Sequence, residues 1–218
     1  IMNGGYLEVA SGFIFDAVSA TLTVNGNMVM TGGTVNLNSG FLQSGTLNLK
    51  GGFSFSGGLL TESAGQFFGT SRVVFSGSDV QAFEKSGSAA ISNYVDFEVN
   101  SGSTLDLGTS VIDGSEGGFT LAGGAKIITA HDGGLRSDNN GGAVRVGGSK
   151  SYSSTADYEF RGASTGNFQT SSGRVRDLII NNVNGEVTAP RTFVVDRMLV
   201  LSNGYLTPTS GNITVGTT

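Results

Sequence analysis

A parallel β-solenoid, all-β and without significant helix, is the fold class these 218 residues predict, and three observations carry it. Gly supplies 36 residues, with Ser 27, Thr 21 and Asn 16 beside it; Gly alone is roughly one residue in six against a usual one in fourteen. Residues that favour soluble helices are scarce, with four Lys and seven Glu in the whole chain, so a helical fold has little to build on. Short runs of alternating apolar and polar residues recur every six or seven positions. That alternation is the period of a half-buried strand.

The elements follow one another in tandem. Residues 6–20 (YLEVASGFIFDAVSA) state the scheme loosely, and 21–33 (TLTVNGNMVMTGG), 34–45 (TVNLNSGFLQSG) and 46–58 (TLNLKGGFSFSGG) repeat it more tightly. Each of these last three begins with Thr, alternates, turns, gives a second short apolar segment and ends on Gly. Pairs such as Asn25-Gly26 and Gly51-Gly52 suit the turns. The spacing is too tight for the hairpins of a sandwich, whose turn signals come every eight to twelve residues. Stacked coils accept it, because each coil pairs its backbone with the coils above and below. Val24, Val29, Val35, Leu37, Leu47 and Leu49 then point inward, and Thr23, Asn36 and Asn48 point outward or stack at corners. At roughly 22–25 residues per coil the chain makes about nine coils, a rod on the order of 40 Å long. Phe13, Phe15, Phe53, Phe55, Phe67 and Phe68 recur at strand positions and are expected to stack along the interior.

A longer repeat overlies the short one. VVFSGSDVQAF (73–83) resembles YEFRGASTGNFQ (158–169), and DFEVNSGSTLDL (96–107) resembles DLIINNVNGEVT (177–188), a unit of about 80–85 residues dividing the later chain near 73–157 and 158–218. No Pro-rich or charged linker interrupts the sequence, so residues 1–218 read as one continuous segment. Both ends read as mid-repeat, and the expectation is a piece of a longer repeat protein whose flanking repeats or domains cover the terminal coils.

Several functions are disfavoured by composition. A net charge of -5 and a sequence pI near 4.8 oppose nucleic acid as the main partner. No run approaches the apolar length of a transmembrane helix. The absence of Cys removes disulfides, thiolate metal sites and Cys nucleophiles together.

Three sets of residues could carry chemistry. Asp157, Glu159 and Arg161 alternate along one strand and so share a face; two carboxylates beside an Arg could serve glycoside hydrolysis or grip a sugar acid, or could form a solvated charge ladder. Asp106, Asp113 and Glu116 form a looser acidic group. The loops DGSEGG (113–118) and SDNNGG (137–142) offer Asp113, Glu116 and Asp138 as weak calcium ligands, without the EF-hand spacing. His131, the single histidine, sits in the turn His131-Asp132-Gly133-Gly134 with no G-x-S-x-G elsewhere to make a hydrolase. The Gly162–Gly166 segment lacks the Lys of a phosphate loop and reads as a turn. Thr21-Leu22-Thr23 and Thr207-Pro208-Thr209 do not repeat in the register an ice-binding face needs. No Trp and only five Tyr leave little for a sugar cleft.

FTLAGGAKIITAHDGGL (119–135), GGAVRVGGSKSYSSTADYEFRG (141–162) and DLIINNVNGEVTAPRTFVVDRMLVLSNGYLTPTSGNITVG (177–216) resemble the repeat region of large surface proteins exported by the type IX secretion system. Those repeats carry a strand like LTINN, then VTL, then LTLTSGxLTTGSNTLTLG. The resemblance is strongest over residues 95–218. It implies a right-handed β-helix stalk or adhesin region at the cell surface, with a signal peptide upstream and a sorting domain downstream. It also implies the secretion machinery, and surface glycans or proteins, as partners. It implies no catalytic residues. The function expected is therefore a non-enzymatic spacer or adhesin stalk without a resident cofactor, the alternative being a carbohydrate-active β-helix, a lyase, hydrolase or glycan-binding module.

Overall fold

The computed structural model of the chain describes residues 5–12, 14–16, 20–40, 43–63, 71–137, 141–162, 166–170 and 172–216. Twenty-two strands and no helix occur among them, so none has a helix long and apolar enough to cross a membrane. The strands form sheets of fourteen, six and two strands. Every pairing described is parallel, which the short alternating segments require if they stack by translation and not by hairpins. This arrangement is consistent with a parallel β-helix.

The six-stranded sheet runs Thr21–Val24, Thr46–Leu49, Ser71–Phe75, Val95–Val99, Phe119–Leu121 and Lys150–Tyr152. The fourteen-stranded sheet carries Leu7–Val9, Met28–Asn36, Phe53–Thr61, Val80–Lys85, Thr104–Asp106, Lys126–Thr129, Asp157–Gly162, Arg174–Ala189 and Phe193–Pro208 as successive neighbours. The step from strand to strand varies: Thr21 pairs with Thr46, Lys126 with Asp157, and Asp157 with Asp177. The widest of these steps accommodates Gly134–Arg136 and Val144–Val146, of which Val144–Val146 pairs with Ile112–Gly114 in the two-stranded sheet. The segments aligned as a longer repeat occupy different sheets: Phe75 lies in the six-stranded sheet and Phe160 in the fourteen-stranded one.

Between the sheets runs a continuous apolar interior. Val24, Val35, Leu37, Leu47 and Leu49 are buried as expected from alternation. Val29 is not: Met28 and Met30 take the inward positions, each 0% exposed, and Val29 faces out. The strand starts at Met28, and its register on Phe53 and Phe55 sets the parity, so the larger side chains fill the interior. Phe53 stacks on Phe55 at 5.3 Å, and Phe83 meets Phe53, Phe75 and Phe97 edge-on. A second aromatic run passes from Tyr158 through Phe168 to Phe193. Phe13, Phe67 and Phe68 lie outside the described residues, as does the centre of the Gly162–Gly166 segment.

Gly allows two strands to turn the same corner. Met28–Asn36 and Phe53–Thr61 shift register between Met30 and Thr34. There Gly33 has φ 69° and Gly58 φ 95°, and a Cβ on Gly58 would stand 2.5 Å from the Gly32 carbonyl oxygen. Glycine is required on both counts.

Candidate functional site

The outward face of Asp157–Gly162 holds the charged trio, and alternation places it there because Tyr158 and Phe160 fill the interior. The structure does bring Asp157, Glu159 and Arg161 onto one face, but it also supplies partners that differ for each. Both Asp157 oxygens accept from Arg176, Oδ1 from Nε at 2.7 Å and Oδ2 from Nη2 at 2.6 Å. Glu159 lies between Lys126, whose Nζ is 2.6 Å from Oε2, and Arg161, whose Nε donates to Oε1. Arg161 extends further, with Nη1 3.2 Å from Asp106 Oδ2. Asp106, Ile128 and Glu159 are successive partners in register. Arg161 therefore bridges across the intervening strand, over Ile128.

The charge ladder across strands is present, but it is not the solvated one expected. The Glu159 side chain is 8% exposed and that of Asp157 14%, against 45% for Arg161. Ile128 faces outward, apart from the apolar interior, yet is 1% exposed. The long side chains lie along the sheet and shield what is beneath them, as amphipathic stems do.

The same arrangement continues along the molecule. Asp177 accepts from Arg197 at Oδ1 (2.8 Å) and again at Oδ2. Asp196 accepts from Arg174 at 3.1 and 2.6 Å. Sequence reading missed Lys126, Arg174, Arg176, Asp177, Asp196 and Arg197 as partners, because each pair joins residues about one strand-to-strand step or more apart. The usable signal was opposite charge repeated at that step, Asp157 with Arg176 and Asp177 with Arg197.

Electrostatics define what the cluster can do. Burial pushes the Glu159 carboxyl up, but hydrogen bonds from Lys126 and Arg161, with their charges, outweigh it and hold the group below its ordinary value. The hydrogen bond from Arg197, reinforced by its charge, does the same for Asp177 against a smaller burial penalty. A general acid must keep its proton near neutral pH. Glu159 and Asp177 are instead held ionised, and both Asp157 oxygens are committed to a bidentate Arg, the strongest arrangement for such a pair. Chemically the cluster is a set of clamps joining neighbouring strands.

The other candidates are dispersed. Asp113 Oδ2 is 3.1 Å from Lys85 Nζ, while Glu116 lies beside Tyr94, whose hydroxyl is raised by burial and then by this carboxylate. Asp106 belongs to Arg161 and not to an acidic group. Asp138 lies outside the described residues. Among the described residues no three His, Cys, Asp or Glu side chains come together as a metal site. His131 Nδ1 accepts from the Gly133 N–H at 2.9 Å, and Nε2 is 3.0 Å from Arg145. Burial, then Arg145, lowers its pKa, with Asp132 opposing. The Thr column of Thr21 and Thr46 ends at Arg72.

Comparison with protein-family models, curated proteins and solved structures returns no match to this chain.

Proposed function

We propose that the chain is a right-handed parallel β-helix of about nine coils, acting as a rigid, non-enzymatic spacer or adhesin stalk in an exported surface protein. One observation carries this reading: parallel strands stack one on the next from Leu7–Val9 to Phe193–Pro208, and the charged residues on their outer face tie neighbouring strands together. A stack of this kind resists bending because each backbone rung is bonded on both sides and the interior is continuous. Flanking repeats of the same polypeptide and the export machinery are the partners it implies, at the cell surface.

The test uses the purified chain and its Asp157→Asn, Glu159→Gln double variant on a panel of acidic and neutral polysaccharides. The expected result is no release of reducing ends or unsaturated products by either protein. Release that depends on Glu159 would replace the spacer with a carbohydrate-active enzyme.

A second reading, a glycan-binding module, has one observation in its favour. A shallow groove of about 450 Å³ crosses the outer face of the six-stranded sheet, lined by Thr46, Asn48, Arg72, Glu98 and Asn100 among others. Saturable binding of a glycan that is lost in Arg72→Ala would support it.

A further inference from the structure

Two successive corners of the stack, the one between Gly166–Gln169 and Arg174–Ala189 and the one between Arg174–Ala189 and Phe193–Pro208, do not close on each other. A cavity of about 220 Å³ lies between them. Its floor is apolar: Phe168 and Phe193 line it, 3% and 5% exposed, with their rings edge-on at 5.7 Å. Its sides are polar, with Gln169, Thr170, Arg191 and Thr192 among them. The next corner already packs on the far side of 190–193. There the Asn212 N–H donates to Thr192 Oγ1 at 3.1 Å, and the Phe193 N–H donates to the Asn212 carbonyl at 3.1 Å. A strand added to Ile213–Val215 would stack beyond that corner and leave the cavity as it is.

Unused bonding capacity sets this cavity apart. Thr170 is only 8% exposed, yet its hydroxyl has no hydrogen-bond partner among the described residues. The Gln169 amide has none either. Arg191 makes neither a hydrogen bond nor an ion pair among the described residues, whereas Arg161, Arg174, Arg176 and Arg197 are each committed to a carboxylate. Buried polar groups in folded proteins are ordinarily satisfied. Here a guanidinium, a hydroxyl and an amide line one space above two aromatic rings, and all three are unspent.

We propose that this cavity is a binding site for a small hydroxycarboxylate. The carboxylate meets Arg191, whose planar fork matches its two oxygens. The ligand hydroxyl meets Thr170 and Gln169, each able to donate and to accept. The carbon skeleton covers Phe168 and Phe193, the apolar lining such pockets use to hold a ligand. Pockets for drug-sized molecules run to about 300–1,000 Å³, so this volume selects a single ring or a shorter chain. The terminal uronic acid of a glycan and a free hydroxy acid carry the same chemistry. An inorganic anion fits worse, because it leaves both rings uncovered. The site is separate from the groove on the six-stranded sheet and does not depend on the spacer reading.

The probes are glucuronate, mandelate, glucose and inorganic sulfate, each titrated into the full chain and followed by proton–nitrogen correlation spectra. The expected result is a saturable change at millimolar acid, confined to the two corners, with glucose and sulfate without effect. Saturation by glucuronate alone supports the site and identifies a glycan terminus as the source; saturation by mandelate alone supports it and identifies a free acid. Arg191→Gln, at an exposed side chain with no contact to lose, should weaken binding at least about tenfold while leaving the circular dichroism unchanged. Thr170→Val keeps the shape and removes the hydroxyl, and should weaken binding about fivefold. The site is overturned by no saturable change with either acid, by sulfate or glucose binding as well as the acids, or by binding indifferent to Arg191→Gln. Each of these failures leaves the spacer standing, because that reading is tested by polysaccharide turnover.

Discussion

Glu159 shows how position along the stack determines the behaviour of a single residue. On an isolated strand its charge would be solvated and worth little. Here Lys126 comes from the neighbouring strand and Arg161 from its own, and the carboxylate is nearly enclosed. Glu159→Gln should therefore lower stability by about 1.5–3 kcal/mol, the range for hydrogen bonds to charged groups, measured by denaturant unfolding at neutral pH. The pH dependence follows from the direction of the shift. The folded carboxyl titrates below its ordinary value of 4.5, so the stability it contributes is complete above that value and is lost as pH falls through the folded one. Acid unfolding curves of Glu159→Gln should consequently be flatter below about pH 4.5 than those of the parent. Equal slopes would mean that the clamp does not persist in solution.

At the scale of elements, two features do most to fix the strands: aromatic packing inside and Gly at the corner. Phe83 contacts the rings of Phe53, Phe75 and Phe97, so Phe83→Ala removes a side chain that ties together strands from both large sheets. The expected loss is about 3–5 kcal/mol, read from the denaturation midpoint. Gly58→Ala fails for another reason. Its φ of 95° is strained for any L side chain, and the new Cβ would meet the Gly32 carbonyl. A loss above about 1 kcal/mol is expected, with faster hydrogen exchange across Phe53–Thr61; a neutral result would show that the corner can relax.

At the scale of the whole molecule, circular dichroism is expected to give a β spectrum without a helical component, and a substantial helical signal would contradict the stacking of nine successive strands along the fourteen-stranded sheet. The ion-pair clamps span that sheet from Asp106 to Arg197, so moderate salt should lower the thermal midpoint by a small amount, because the Arg ends are exposed and screened.

Strand identity and the inward column were legible in the residues themselves, because alternation has a period of two and Gly and Asn mark the turns. TLTV and TLNL needed no tertiary information to be read as equivalent strands, and they pair Thr21 to Thr46. Parity was harder where apolar residues run together. In Met28-Val29-Met30 any of the three could face in, and only the register on Phe53 and Phe55 chooses the methionines. Charge pairing was harder still. Arg161 reaches Asp106 fifty-five residues earlier, a distance in sequence that becomes two strands in space once the stack forms. Local composition thus dictates that this chain makes short strands and which side chains avoid water. The step between strands, which varies along the chain, decides which charges meet, because pairing depends on where earlier strands have already been laid.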